Sequence, residues 1–131
     1  MDTEQPEDRP IRSDVEAHDR AMSMSMQGVV RDLVEILGAT TVAVIGGVTE
    51  TRAVAQWMQN REPQRPHVLR FAYQLALMLA SSLQRETARA WFHGSNPRLG
   101  DRSPMMLLRD KPLEELRGPM LDAARAFARR T

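Results

Sequence analysis

WFHGSNPRLGDRSPMMLL, residues 91–108, joins an aromatic helix end, a loop and a new helix start. Asn96 precedes Pro97, and a proline ring disfavours the α region for the residue before it, so we expect Asn96 to be extended. Ser103 and Pro104 are typical of a helix start, because the serine hydroxyl can accept from a backbone N–H and proline at the first helical position needs no donor. The stretch therefore predicts a stiff loop between two helices, with Leu99 as its apolar anchor.

Apolar residues recur at helical spacing on both sides of this stretch. From about Val15 a helix is expected, and its apolar positions are Met22, Met26, Val29, Val30, Leu33 and Leu37. Residues 66–84 are apolar around most of a helix circumference, which predicts a central helix. In the last segment the apolar series is Leu113, Leu116, Met120, Ala124 and Phe127. The whole pattern predicts an all-α protein.

Four further expectations concern one helix break and three aromatic residues. Gly118 and Pro119 interrupt the last series, so we expect a kink or a new helix with Pro119 at its first position. Tyr73 is expected to be half exposed, Trp91 to lie in the core and Phe92 to be partly exposed.

Residues 40–60, TTVAVIGGVTETRAVAQWMQN, have helix-turn-helix character. Gly46 and Gly47 separate two short helices, and the second helix would start at Thr49 or Thr51. Arginine and glutamine are base readers by geometry. The DNA-binding candidates are Thr49, Glu50, Thr51, Arg52, Gln56 and Arg61. Any helical hairpin with a glycine turn would show the same pattern, and Glu50 would face phosphates unfavourably.

A family resemblance is carried by three elements together: Trp91, Asn96–Leu99 and Ser103–Leu108. They resemble the C-terminal domain of the Xre/MbcA/ParS antitoxin family. With the helix-turn-helix part upstream, the resemblance covers roughly residues 28–130. In that family a tryptophan ends one helix, followed by an Asn-Pro-x-Leu loop and a Ser-Pro-x-x-Leu-Leu helix. The resemblance implies a helix-turn-helix domain and a C-terminal domain that blocks a RES-domain, NAD-destroying toxin. The implied toxin-binding candidates are Phe92, Asn96, Pro97, Arg98, Leu99, Arg102, Arg125, Phe127 and Arg129. A terminal helix that only packs on its own domain would show the same spacing.

Composition and charge limit the alternatives. The 131 residues suit one domain or two very small ones, and cysteine is absent, which suits a reducing cytoplasm. Residues 1–20 contain seven acidic residues and three arginines, a charge of −4, whereas residues 21–131 contain fifteen basic and ten acidic residues, a charge of +5. A modestly basic body is compatible with nucleic acid, although the arginine content can also reflect genome composition.

The motifs that carry catalysis or metal binding are missing from the sequence. The three histidines are isolated, and neither a glycine-rich phosphate loop nor a metal-ligand pair is recognisable. We therefore expect no enzyme activity, no catalytic residue, no metal and no cofactor. The longest apolar run, residues 68–80, contains Arg70 and Gln74 and is shorter than the roughly 20 residues of a bilayer span, so no membrane association is expected.

Taken together, the sequence predicts three segments. They are a disordered acidic arm (1–20), a helix-turn-helix domain (21–83) and a toxin-binding domain (84–131) that packs on it. The expected function is that of a cytoplasmic type II antitoxin, with a RES-domain toxin and operator DNA as partners, in a homodimer or a hetero-oligomer with the toxin. The alternative is a stand-alone helix-turn-helix regulator or adaptor whose C-terminal domain serves dimerisation.

Overall fold

A computed structural model describes residues 14–129, and within them the chain is all-α. Beside an isolated bridge between Asn96 and Arg102, this part contains one 3₁₀ turn, Pro97–Leu99, and eight α-helices. The helices are α1 Asp14–Ser23, α2 Met26–Leu37, α3 Ala39–Ile45, α4 Thr51–Trp57, α5 Pro66–Ser82, α6 Arg85–His93, α7 Pro104–Asp110 and α8 Leu113–Ala128. None of the helices in this part of the chain is both long and apolar enough to cross a membrane.

Helix α5 lies at the centre of the bundle, as its sequence predicts. Residues 71–79 are all buried, and α5 packs against α1, α2 and α8. The expectation that Tyr73 is half exposed is wrong, because its side chain is only 1 % exposed. Its hydroxyl donates to Asp32 Oδ2 at 2.6 Å, so the polar end of the ring is satisfied inside the bundle. Burial, and next the hydrogen bond to Asp32, raise the pKa of Tyr73 well above its ordinary value.

The segment before α2 differs from the sequence-based division. Residues 14–20, assigned to the disordered arm, form most of α1, which buries Ala17 and Ala21 against the bundle. The first helix ends at Ser23, and the Ser25 hydroxyl accepts from the Gly28 N–H at the start of α2. Met22 consequently faces solvent and does not join the apolar face of α2. Residues 1–13, for which disorder is predicted, lie outside the described part of the chain.

The two predicted domains share a single hydrophobic core. Trp91 is 4 % exposed, which confirms its predicted place in the core. Phe92 is fully buried, so its predicted partial exposure is wrong. Helix α6 packs against α2, α5 and α7, and adjacent aromatic residues can both be buried because the helix is covered on more than one side.

Helix α8 continues through Pro119, and the predicted restart near Gly118 is wrong. Gly118 and Pro119 are exposed, and no atom outside the helix backbone lies within 4 Å of where a Cβ on Gly118 would be. The proline ring therefore faces solvent. Pro119 has no N–H and so cannot form the backbone hydrogen bond of its turn. Leu116 and Met120, on either side of it, are buried on the core face, and this packing holds the helix together.

Candidate partner-binding groove

The Asn96–Arg102 loop is held by its own hydrogen bonds. Asn96 has the predicted extended backbone, with φ −124° and ψ 118°, and its Oδ1 accepts from the Arg98 N–H at 2.9 Å. The Asn96 N–H donates to the Arg102 carbonyl at 3.1 Å, and the Asn96 carbonyl accepts from Leu99 and Asp101. Gly100 and Asp101 both adopt left-handed backbone conformations, which complete the tight turn. The loop thus presents Arg98 from a defined backbone.

The start of α7 follows the sequence prediction. Ser103 is extended, with φ −81° and ψ 142°, and its hydroxyl accepts from the Met106 N–H at 3.2 Å. Pro104 is buried at the first helical position. Leu107 and Leu108 enter the core, which anchors the C-terminal end of the loop.

A groove of about 490 Å³ lies between α6, this loop and α8. Its volume is within the range of known ligand pockets. The lining residues are Thr87, Ala90, Trp91, Gly94, Ser95, Asn96, Pro97, Arg98, Ala123, Ala126 and Phe127. Three alanines and two aromatic residues make much of the lining apolar, and Arg98 is the only charged residue that residues 14–129 contribute to it.

Four of the nine predicted toxin-binding residues line this groove: Asn96, Pro97, Arg98 and Phe127. Leu99 is half buried and packs against the core, as expected of an anchor. Phe92 cannot contact a partner, because no part of its side chain is exposed, and the prediction for this residue is wrong.

The other predicted arginines lie away from the groove lining. Arg125 is two residues from both Ala123 and Phe127, which places it about 200° around α8 from each. Its guanidinium is paired with Asp14 of α1 and with Asp122 at 3.1 Å.

Arg129 and Arg102 are both exposed. Arg129 ends α8, and Arg102 lies 3.5 Å from Asp110 Oδ2. The pKa of Asp110 is lowered, mainly by its hydrogen bond to the Arg109 guanidinium. Asp110 is therefore charged, and it already forms ion pairs with both Arg109 and Arg102.

Two side chains of the groove have unused hydrogen-bonding groups. Trp91 is nearly fully buried, and its Nε1–H is the one buried side-chain donor without an acceptor among residues 14–129. Arg98 is exposed, and its guanidinium forms no hydrogen bond or ion pair with any described residue. Such groups at one site mark places where a ligand can add interactions.

The second candidate surface is the α3–α4 hairpin. The hairpin turns at Gly47, whose φ of +81° is the left-handed conformation expected there, and α4 starts at Thr51. Val54 and Trp57 are buried and Val48 is half buried, so these three side chains form the inward face of the hairpin.

All six predicted DNA-binding residues surround α4 at the surface. Of these, Gln56 is half buried and the others, Thr49, Glu50, Thr51, Arg52 and Arg61, are exposed. Arg61 donates to Gln56 Oε1 at 3.5 Å. Thr49 and Thr51 also line a cleft of about 570 Å³ whose opposite wall contains Arg109 and Asp110. With Glu50 and Glu62 beside Arg52 and Arg61, this surface is not strongly basic.

Arg65 lies between α4 and α5, directly before the Pro66 that starts α5. In the structure its guanidinium donates to the Ile45 carbonyl at 2.9 Å and to the Leu108 carbonyl at 2.8 Å. Arg65 therefore ties the end of α3 to α7.

No family model, curated protein or solved structure matches this chain. Within residues 14–129, no group of three or more histidine, aspartate or glutamate side chains is arranged to hold a metal ion.

Proposed function

We propose that this chain is a type II antitoxin that binds a RES-domain, NAD-degrading toxin through the groove between α6, the Asn96–Arg102 loop and α8. The supporting observation is that the first part of the motif that carries the family resemblance lines this groove. Trp91, Asn96 and Pro97 belong to the motif, and all three line the groove together with Phe127 of α8. Partner proteins bind to apolar surfaces with aromatic residues and a polar rim.

Co-expression with the reading frame next to its gene tests the proposal, with growth and cellular NAD as readouts. Removing residues 84–131 would be a poor test, because Phe92, Leu108 and Met120 belong to the shared core. Ala90→Phe fills the groove from an exposed position on α6, and Ala55→Phe makes the same change at an exposed position on α4.

We expect the native chain and Ala55→Phe to restore growth and NAD, and Ala90→Phe to fail although it remains folded by circular dichroism. Full rescue by Ala90→Phe would show that the groove is not the toxin-binding surface. A neighbouring product that is not toxic would instead favour the alternative, a stand-alone regulator or adaptor.

A second proposed role is repression of its own operon through the α3–α4 hairpin. It is favoured by the exposure of Thr49, Thr51 and Arg52 directly after a glycine turn, the position from which a recognition helix reads DNA. Replacing Arg52 and Gln56 with alanine should abolish binding to the upstream DNA and leave toxin neutralisation unchanged. Loss of both activities in this variant would indicate unfolding and would not support a DNA role.

A further inference from the structure

We infer that the groove binds a short acidic amphipathic helix of the partner, with a bulky apolar side chain between α6 and α8 and a carboxylate against Arg98. This inference rests on the proposed partner-binding function and specifies the chemistry of the partner segment.

Small apolar side chains line the groove on both α6 and α8. Ala90 of α6 faces the same groove as Ala123 and Ala126 of α8. The distance between packed helices is set by the side chains at the contact, so the exposed Ala90 and the half-buried Ala126 allow a third helix to approach closely, whereas Ala123 is buried beneath the surface. Trp91 and Phe127 supply aromatic surface in the same groove, and amphipathic helices commonly bind to such grooves through bulky apolar residues.

Arg98 brings a positive charge to the same groove. Among residues 14–129 it is the only charged residue of the lining, and no carboxylate of these residues neutralises it. By contrast, Arg102 and Arg109 contact Asp110, and Arg125 contacts Asp14 and Asp122. Arginine pairs with a carboxylate through two parallel hydrogen bonds, so an acidic side chain of the partner is the complementary group.

The indole of Trp91 provides an independent observation. Trp91 lines the groove, and its buried Nε1–H has no acceptor among residues 14–129, although buried polar groups nearly always have a partner. A carbonyl or carboxylate oxygen of the bound helix can accept this hydrogen after a small displacement of the ring. The occupant is therefore expected to bring oxygen acceptors as well as an apolar side chain.

Selection from a displayed library of randomised helical peptides tests this chemistry without the toxin. The full chain is the target, and Ala90→Phe is the counter-selection variant. We expect enriched peptides to carry aspartate or glutamate near aromatic or aliphatic residues spaced three or four apart. Binding should weaken at least about tenfold in Ala90→Phe, since filling the groove removes the central contact.

Charge variants then test the assigned carboxylate contact. Arg98→Gln should weaken binding of the acidic peptides about fivefold, and Arg98→Glu should favour peptides with basic residues instead. Arg85→Glu is the control, because it makes the same charge reversal outside the groove. Arg85 lies two residues before the lining residue Thr87, which places it about 200° away around α6, so this variant should leave binding unchanged. If Arg98→Glu and Arg85→Glu changed peptide binding equally, the effect would come from the net charge of the protein, and the assigned contact with Arg98 would be overturned.

The tryptophan signals supply a separate readout. The chain has two tryptophans, Trp57 and Trp91, and their indole N–H signals can be assigned in nuclear magnetic resonance spectra with Trp91→Phe. An enriched acidic peptide should shift the Trp91 signal and leave that of Trp57 in place. No enrichment, enrichment of basic peptides, or binding that Ala90→Phe does not affect would overturn the inference. If the chain binds acidic peptides but does not rescue cells from the toxin, the antitoxin role is rejected and the inference about the groove stands.

Discussion

Gly46→Ala provides a quantitative test of how the α3–α4 hairpin is packed. Gly46 has φ −74° and ψ −5°, so its backbone accepts alanine without strain. The added Cβ would nevertheless lie 2.5 Å from Trp57 Cη2 and 2.8 Å from Cζ3. Carbon atoms in contact are separated by about 3.5–4.0 Å, so the indole must move by about 1 Å. Trp57 is only 4 % exposed, and its neighbours oppose this movement.

Two opposing contributions determine the expected change in the free energy of unfolding. Overpacking a core costs about 1–3 kcal/mol. Replacing glycine by alanine where the backbone permits it recovers about 0.4–1 kcal/mol by reducing the entropy of the unfolded chain. Gly46→Ala should therefore destabilise the protein by about 1–2 kcal/mol. Gly118→Ala is the matched control, because nothing surrounds its new Cβ, and it should stabilise by about 0.5–1 kcal/mol.

Urea denaturation followed by circular dichroism measures both changes. Trp57→Phe removes the colliding ring atoms, so in the Trp57→Phe background the cost of Gly46→Ala should fall to near zero. The double-mutant cycle isolates this coupling from the separate cost of Trp57→Phe. The reasoning would be refuted if Gly46→Ala were as stable as Gly118→Ala, or if its cost were the same with phenylalanine at position 57.

The other predictions concern Tyr73 and the loop around the groove. Tyr73 is the only tyrosine, and its raised pKa means that its contribution to stability is complete below about pH 10 and is lost as the pH rises. The absorbance of ionised tyrosine should therefore appear near pH 10 only in the denatured chain. If it appeared near pH 10 while the helix content was still native, it would contradict the burial of Tyr73. Ser103→Ala should lower the free energy of unfolding by about 1 kcal/mol, since it removes the α7 cap, and an unchanged denaturation midpoint would contradict this role. Gly100→Ala should cost about 1 kcal/mol through its left-handed backbone alone, with thermal denaturation as the measurement, and a stabilised variant would show that the loop adopts another conformation.

Local signals predicted much of the helical framework. Ser103 and Pro104 start α7 as expected, and Gly47 makes the hairpin turn in the predicted glycine break. Each of these features depends on hydrogen bonds or backbone preferences within a few residues. Neighbouring sequence is therefore sufficient to recognise them.

The incorrect expectations all depend on what surrounds a helix. Tyr73 and Phe92 are buried because other helices cover α5 and α6 on several sides, whereas amphipathic spacing describes a helix with one buried face. Pro119 is tolerated because its ring faces solvent while Leu116 and Met120 pack in the core. None of these surroundings can be obtained from spacing along the chain.

The candidate groove was only partly predictable for the same reason. Asn96, Pro97 and Arg98 stand out in the sequence because the loop motif is local. Ala90 and Ala126 do not, because a small side chain marks a groove only when the helix opposite is known. Spacing of the alanines on α8, with Ala123 and Ala126 three apart, is the one sequence signal that could have indicated their common face.

The position of Arg65 determines how the two proposed activities can be separated experimentally. Its guanidinium joins the carbonyls of Ile45 and Leu108, and Thr41 of α3 is hydrogen-bonded to His93 of α6 at 2.7 Å. The hairpin and the groove therefore belong to one core, and a substitution in that core is expected to disturb both surfaces. Exposed side chains do not have this effect, so Arg52 and Arg98 are the positions at which DNA binding and partner binding can be changed independently.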